Sequence, residues 1–183
     1  MLSISPSSNA PETGAATVLF YANPGLVTAA VQWDTQRPGQ ARSSVPSHCA
    51  IMLPTTAGPV VFEMIATGYH CRPATLDDLA YPWAVSVYLP DMGGALALAR
   101  ACAGARYSWA EIALIALYRL LPDRWLSRIH VRQAHICSVF VRDVLWAGGW
   151  LEPGWLEWQF CPVTPNDVLR ALKPLKEVTH AGS

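Results

Sequence analysis

The chain has 183 residues, of which 52% are hydrophobic and 14% are charged, a smaller charged share than the roughly 25% of an ordinary soluble domain. This length suits one domain with a buried core. The 13 basic and 13 acidic residues cancel, and no lysine precedes Lys173. A basic face for nucleic acid is therefore not expected.

The first residues hold neither the basic residues nor the apolar run of a secretory signal. We predict a disordered leader over residues 1–16, one domain over residues 17–175 and a flexible tail over residues 176–183. We expect the protein to be cytoplasmic when synthesised, so that action on the cell envelope would need another export or lysis route. The most apolar segment, residues 109–121, falls short of the roughly 20 residues of a membrane span, so no transmembrane segment is expected.

The first half of the chain predicts strands. Residues 17–22 and 84–90 are rich in β-branched and aromatic side chains, which is typical of strands. Residues 33–46 are polar and contain Pro and Gly, which indicates a loop. Residues 47–53 and 60–66 are two apolar runs around a Pro/Gly turn, and this pattern predicts a hairpin.

The second half predicts helices. A short helix begins after Thr75, and longer helices cover residues 95–103, 109–121 and 136–147, with a last helix opening at the Thr-Pro step of residues 164–165. Strands followed by helices predict an α+β fold, in which a mostly antiparallel sheet packs against helices.

The hairpin places two polar side chains on one face. His48 and Ala50 point to the same side of their strand because side chains alternate. A turn centred between Thr56 and Ala57 sets Ala50 opposite Glu63 and makes His48 a diagonal neighbour of Glu63. A slip of one residue would move Glu63 to the other face.

Cys137 lies where an apolar helix begins, and the positive end of a helix dipole lowers the pKa of a thiol there. With His48 as a base and Glu63 to orient the imidazole, the chain holds the three parts of an activated nucleophile. A purely structural role for these three residues is the alternative. Cys137 is then a small core residue, His48 a hydrogen-bonded structural group, and Glu63 a carboxylate facing solvent.

The five cysteines are odd in number and irregular in spacing, which favours reduced thiols over a disulfide scaffold. We expect neither a metal nor another cofactor, because zinc sites normally use closely spaced ligand pairs. The residues that lack such spacing are His70, Cys71, His130, His135 and Cys161.

Five short motifs occur in a fixed order between about residue 45 and residue 172. They are Ser-His-Cys-Ala-Ile at 47–51, a strand with Glu63, Gly-Ala-Arg-Tyr at 104–107, Ile-Cys-Ser-Val-Phe-Val at 136–141 and Thr-Pro-Asn-Asp at 164–167. This order resembles the permuted NlpC/P60 cysteine hydrolases, the YiiX-like and YycO-like families with a papain-like fold.

The resemblance implies a papain-like fold in circularly permuted order, since the histidine precedes the cysteine. It implies metal-independent thiol hydrolysis, with Cys137 as nucleophile, His48 as general base and Glu63 as the orienting group. Tyr107, in the Gly-x-x-Tyr turn, and the adjacent Trp109 are the candidate substrate-binding residues. One departure is Cys49, which stands where these families more usually carry a small aliphatic residue.

Three functions remain open. The first is a cysteine peptidase or amidase that cleaves an amide bond, with a peptidoglycan peptide as the expected substrate. The second is a lipid acyl hydrolase or acyltransferase of the same fold, which the apolar segment 109–121 would suit. Relatives of lecithin:retinol acyltransferase use an Asn-Cys-Glu type of motif, however, whereas residues 136–138 are Ile-Cys-Ser. The third is a binding module without catalysis.

Overall fold

A computed structural model describes residues 14–22, 45–79, 83–110, 112–113, 136–150 and 163–172. Within these ranges the chain is a mixed α/β protein. The strands are β1 (Gly14–Tyr21), β2 (His48–Leu53), β3 (Val60–Ile65), β4 (Gly68–Pro73) and β5 (Ala84–Leu89), and the helices are α1 (Leu76–Leu79), α2 (Met92–Ala101), α3 (Cys137–Ala147) and α4 (Pro165–Leu172).

The strands form one antiparallel sheet in the order β4-β3-β2-β1-β5. The β2–β3 hairpin closes through reciprocal main-chain hydrogen bonds of Thr55 and Gly58, and Gly58 has a φ of 111° that suits glycine. Leu53 pairs with Val60, so the turn is centred where the sequence predicts. The pairing ends at Ile51 and Phe62, and the same register extended by one residue would set Ala50 opposite Glu63.

The two faces of the sheet pack differently because side chains alternate along each strand. On the helix side, residues such as Phe20, Cys49 and Ile51 join residues of α2, α3 and α4 in one large core. The opposite face carries a smaller apolar cluster, formed by Leu19, Ala50, Met52 and Val61. Helix α3 packs against β2, β3 and α2, and its first residue, Cys137, lies in the same core cluster as Cys49 of β2.

Threonine caps define the starts of α1 and α4, as predicted. Thr75 Oγ1 accepts a hydrogen bond from the main-chain N–H of Asp78, whose carboxylate accepts from the main-chain N–H of Thr75. Thr164 and Asp167 repeat this reciprocal pattern. Such pairs satisfy N–H groups that have no partner within the helix.

Three boundaries differ from the sequence-based prediction by more than one residue. Strand β1 begins at Gly14, so the end of the predicted leader, residues 1–16, belongs to the strand. Helix α2 begins at Met92 rather than at residue 95, because the Asp91 carboxylate accepts a hydrogen bond from Gly94 N–H and offsets the poor helix propensity of the glycines. It ends with Cys102 as its C-cap, before the predicted cap Gly104.

Strand β4 was not predicted from the sequence. It is an edge strand with mostly exposed or half-buried residues, so it lacks the continuous apolar pattern by which strands are recognised. Gly68 begins it at a φ of 116°, where an added Cβ would lie 2.8 Å from the main-chain oxygen of Ala105.

Several predicted features lie outside the described residues: most of the leader, most of the 33–46 loop, residues 114–121 of the apolar helix, and the tail. No helix among the described residues is both long and apolar enough to cross a membrane.

Candidate active site

His48 and Glu63 form the hydrogen bond that the hairpin register predicts. His48 Nε2 lies 2.9 Å from Glu63 Oε2, and the two side chains are only 14% and 12% exposed. Because Nε2 is engaged by the carboxylate, Nδ1 is the ring nitrogen left to interact with Cys137. The carboxylate therefore selects the orientation of the imidazole.

Cys137 is the first residue of α3 and is 4% exposed. The neighbours that act most strongly on the pKa of its thiol are Cys49 and His48. The β2–β3 pairing stops at Ile51 and Phe62, while β2 continues to His48. The N-terminus of α3 meets β2 at this end.

The charges of Cys137 and His48 stabilise each other. The hydrogen bond from the Cys49 thiol, together with the His48 charge, outweighs burial and holds the pKa of Cys137 well below its usual value. Burial alone would lower the pKa of His48, but the charge and hydrogen bond of Cys137 and the contact with Glu63 raise it to about 9. Each group therefore favours the charged form of the other, which is the direction that activates a thiol as a nucleophile.

Glu63 is held ionised by its neighbours. Its hydrogen bond to His48 is the largest cause of its lowered pKa, with burial acting in the opposite direction and Arg72 and His70 assisting. His70 Nδ1 lies 3.5 Å from Glu63 Oε1, and Arg72 Nε lies 3.7 Å from the same oxygen. A negative Glu63 in turn favours the protonated form of His48.

A second layer of contacts supports the imidazole. The Tyr21 ring stacks on the His48 ring, with 5.6 Å between centroids and 29° between planes. The Tyr21 hydroxyl donates to Asp78 at 3.4 Å, and Arg72 binds both carboxylate oxygens of Asp78. The Arg72 hydrogen bond outweighs burial and holds the pKa of Asp78 well below its usual range.

The predicted substrate-binding residues lie beside the start of α3. Tyr107 packs against Ile136, which precedes Cys137, and against Val139. The Tyr107 and Trp109 rings meet edge to face, with centroids 5.3 Å apart, and Trp109 is 51% exposed. Both side chains are therefore close to the candidate nucleophile helix, while their contact with a substrate stays a prediction.

The sequence predicts that Cys137, His48 and Glu63 lie together. It does not predict the effect of Cys49 on the pKa of Cys137. The position of Cys49 directly after His48 on β2 could have indicated this effect, because it places the Cys49 thiol on the helix side of the sheet. Tyr21 and Asp78 were also missed. Their contacts depend on pairing between β1 and β2 and on the placement of α1, and neither has a local motif.

Among the described residues, no group of three or more His, Cys, Asp or Glu side chains is arranged to hold a metal ion. The four cysteines in these ranges, Cys49, Cys71, Cys102 and Cys137, are free thiols. Candidate zinc residues His130, His135 and Cys161 lie outside the described ranges.

No family model matches the chain, and no curated protein matches it.

Proposed function

We propose that the protein is a cysteine hydrolase that cleaves an amide bond through an acyl-enzyme on Cys137. The observation that carries this proposal is the buried hydrogen bond between His48 and Glu63, next to Cys137, whose charge raises the pKa of His48 while the His48 charge lowers the pKa of Cys137. A thiol, an imidazole and a carboxylate in that order are the parts of an activated nucleophile. A structural thiol has no need of an imidazolium beside it.

In the proposed reaction, the Cys137 thiolate attacks the carbonyl carbon of the scissile amide. The resulting oxyanion is stabilised by the positive end of α3, where the Cys137 N–H has no partner within the helix. His48 then donates its Nδ1 proton to the leaving amine as the C–N bond breaks. This leaves a thioester on Cys137 and a neutral imidazole.

Hydrolysis of the thioester uses the same residues in reverse. Neutral His48 removes a proton from water, and the hydroxide attacks the thioester carbon. The carboxylic acid product leaves, and the Cys137 thiolate and the His48 imidazolium are restored. Glu63 holds the ring through Nε2 in both steps and stabilises its positive charge.

We further propose that the architecture is papain-like in permuted order. The support is spatial: a cysteine at the start of a helix packs against an antiparallel sheet, and adjacent strands of that sheet supply the histidine and the carboxylate. The chain order His48, Glu63, Cys137 is the one that the permuted NlpC/P60 resemblance implies. The same resemblance favours a peptidoglycan peptide as substrate.

A second candidate function is hydrolysis or transfer of a lipid acyl group. It is favoured by the apolar cluster beside the start of α3, in which Tyr107 and Ile112 pack on Ile136 and Val139. With exposed Trp109 next to it, this cluster offers an apolar wall for an acyl chain.

One assay tests both functions. The purified protein is incubated in parallel with peptidoglycan fragments, short-chain acyl esters and phospholipids, and products are followed by mass. We expect new amines from the peptidoglycan fragments, lost in Cys137→Ala and retained in Cys71→Ser, a control thiol on the exposed edge strand. Activity on acyl substrates alone would replace the amidase proposal with the lipid one. No activity together with an unreactive Cys137 would indicate a binding module.

A further inference from the structure

The Glu63 carboxylate decides which nitrogen of the His48 ring it binds, but by itself it restrains the rotation of that ring only weakly. Glu63 Oε2 lies 2.9 Å from Nε2, and Nε2 lies close to the Cβ–Cγ axis about which the χ2 angle turns. The χ2 angle of a histidine also has no sharp staggered minima of its own. Nδ1, the nitrogen left to interact with Cys137, lies farther from that axis and moves more on rotation. A contact with the flat face of the ring opposes this rotation directly.

Tyr21 supplies a contact with the flat face of the imidazole. Tyr21 on β1 stands directly opposite His48 on β2 in the antiparallel register, so the two side chains lie on the same side of the sheet. Their ring centroids are 5.6 Å apart and their planes differ by 29°, which is the geometry of a stacked pair. The imidazole is therefore held at its edge by Glu63 and on its face by Tyr21.

The Tyr21 ring is itself tied down by Asp78, a buried carboxylate that takes no part in the proposed hydrolysis. The Tyr21 hydroxyl lies 3.4 Å from Asp78 Oδ1, and Asp78 is 6% exposed. Burial and the charge of Asp78 raise the pKa of Tyr21 above its usual value, whereas the Arg72 hydrogen bond lowers the pKa of Asp78. The hydroxyl therefore stays protonated and donates to an ionised carboxylate.

Arg72 joins the face contact to the edge contact. Its Nη2 donates to Asp78 Oδ1 at 2.9 Å, its Nη1 donates to Oδ2, and its Nε lies 3.7 Å from Glu63 Oε1. Asp78 Oδ2 also accepts from the main-chain N–H and from the hydroxyl of Thr75, both at 2.8 Å. The contacts thus form a closed ring of five side chains: His48, Glu63, Arg72, Asp78 and Tyr21.

We propose that Tyr21 is a positioning residue for His48, whose ring, anchored through Asp78, fixes the rotation of the imidazole about χ2. The consequence for catalysis, that Nδ1 stays directed toward Cys137, rests on the proposed function, whereas the restraint itself does not. Because Tyr21 acts through the base, its loss should lower kcat with little change in KM.

The test follows the Nε2 proton of His48 by nuclear magnetic resonance in the full-length protein, without substrate. A proton hydrogen-bonded to a carboxylate resonates downfield, and it exchanges with water only when the His48–Glu63 hydrogen bond opens. Its resonance is assigned as the one that is absent from His48→Gln. We expect exchange to be slow enough to observe in the wild-type protein and about three- to tenfold faster in Tyr21→Leu, which keeps an apolar side chain but removes the flat ring.

Tyr69 offers matched controls, because this half-buried tyrosine packs edge-on against Phe140 instead. Tyr69→Leu and Tyr69→Phe should leave the His48 proton at its wild-type exchange rate. Tyr21→Phe keeps the ring but loses the hydroxyl bond to Asp78, so exchange should be about twofold faster than in the wild type. Main-chain amide exchange in β2, measured in the same samples, should be unchanged. Equal acceleration of the amides and of the imidazole proton would show a loss of stability and overturn the inference.

Exchange in Tyr21→Leu at the rate of Tyr69→Leu would also overturn the inference, as would a wild-type protein without an observable His48 proton. If Tyr21→Leu does not fold, Tyr21→Phe compared with Tyr69→Phe decides the question in the same way. A higher KM with unchanged kcat would count against positioning, because Tyr21 would then act on the substrate. Faster exchange in a protein without hydrolase activity would retain this inference and reject the proposed function. Hydrolysis with equal exchange rates in wild type and Tyr21→Leu would do the reverse.

Discussion

Removal of the His48 imidazole should raise the pKa of Cys137 and make its alkylation depend on pH like that of an ordinary thiol. In the wild-type protein the pKa of Cys137 is held well below its usual value by Cys49 and by the His48 charge. His48→Ala removes the imidazole charge that lowers the pKa of Cys137. The Cys49 contacts remain, so only part of the lowering is lost.

The size of the effect follows from two opposing factors. At pH 6 a thiol with an ordinary pKa of about 8.5 is ionised to only roughly 0.3%, so the reactive fraction falls by up to about a few hundredfold. A thiolate of higher pKa is intrinsically more nucleophilic, with a Brønsted slope of about 0.4 to 0.5, and this recovers part of the loss. We expect alkylation at pH 6 to slow by about tenfold.

The assay is brief iodoacetamide labelling between pH 5 and pH 9, with each cysteine quantified by peptide mass. The wild-type rate at Cys137 should be nearly flat, whereas the His48→Ala rate should climb with pH. His70→Ala is the matched control, because it removes another imidazole 3.5 Å from the same Glu63 carboxylate. Equal pH profiles for wild type and His48→Ala, or faster labelling of Cys102 than of Cys137, would refute the ion pair.

Three further substitutions test the surroundings of the site. Glu63→Gln removes the charge that helps to hold the His48 pKa at about 9, so the alkaline limb of the activity profile should move to lower pH and kcat/KM should fall by at least about tenfold. Asp78→Asn weakens the part-buried pair with Arg72 and should cost about 2 kcal/mol in urea unfolding; an unchanged midpoint would contradict this. Gly68→Ala meets both a positive φ and a close main-chain oxygen, whereas Gly58→Ala meets only a positive φ. The Gly68→Ala variant should be less stable than the Gly58→Ala variant by about 1 to 2 kcal/mol in the same urea assay. Equal unfolding midpoints would refute the predicted clash with the main-chain oxygen.

The hairpin was predictable because its turn and its alternation are local. Two apolar runs around the Thr55–Gly58 turn set the register, and the register sets which side chains share a face with His48. The same holds for the threonine caps of α1 and α4, which depend on residues only three positions apart.

Contacts between distant elements were not predictable in this way. The stack of Tyr21 on His48 depends on the β1–β2 pairing, which joins segments separated by a long polar stretch. The effect of Cys49 on the pKa of Cys137 depends on how α3 meets β2. Sequence alternation showed only that Cys49 and His48 point to opposite sides of their strand.

Edge strand β4 was missed for a different reason. An edge strand has fewer core contacts, so its sequence need not alternate strongly. It nevertheless matters to the site, because it supplies His70 and Arg72 beside Glu63.

The central claim is that Cys137 forms a covalent bond with the acyl part of its substrate, and peptide mass analysis after an acid quench tests this directly. Wild-type protein is mixed with a peptidoglycan fragment, quenched with acid during the first turnovers and digested. We predict an adduct on the Cys137 peptide whose mass equals the acyl fragment, removed by hydroxylamine as a thioester should be. The adduct should be absent from Cys137→Ala and present in Cys71→Ser. Amine release at the wild-type rate by Cys137→Ala, with no thioester on any cysteine, would contradict the account.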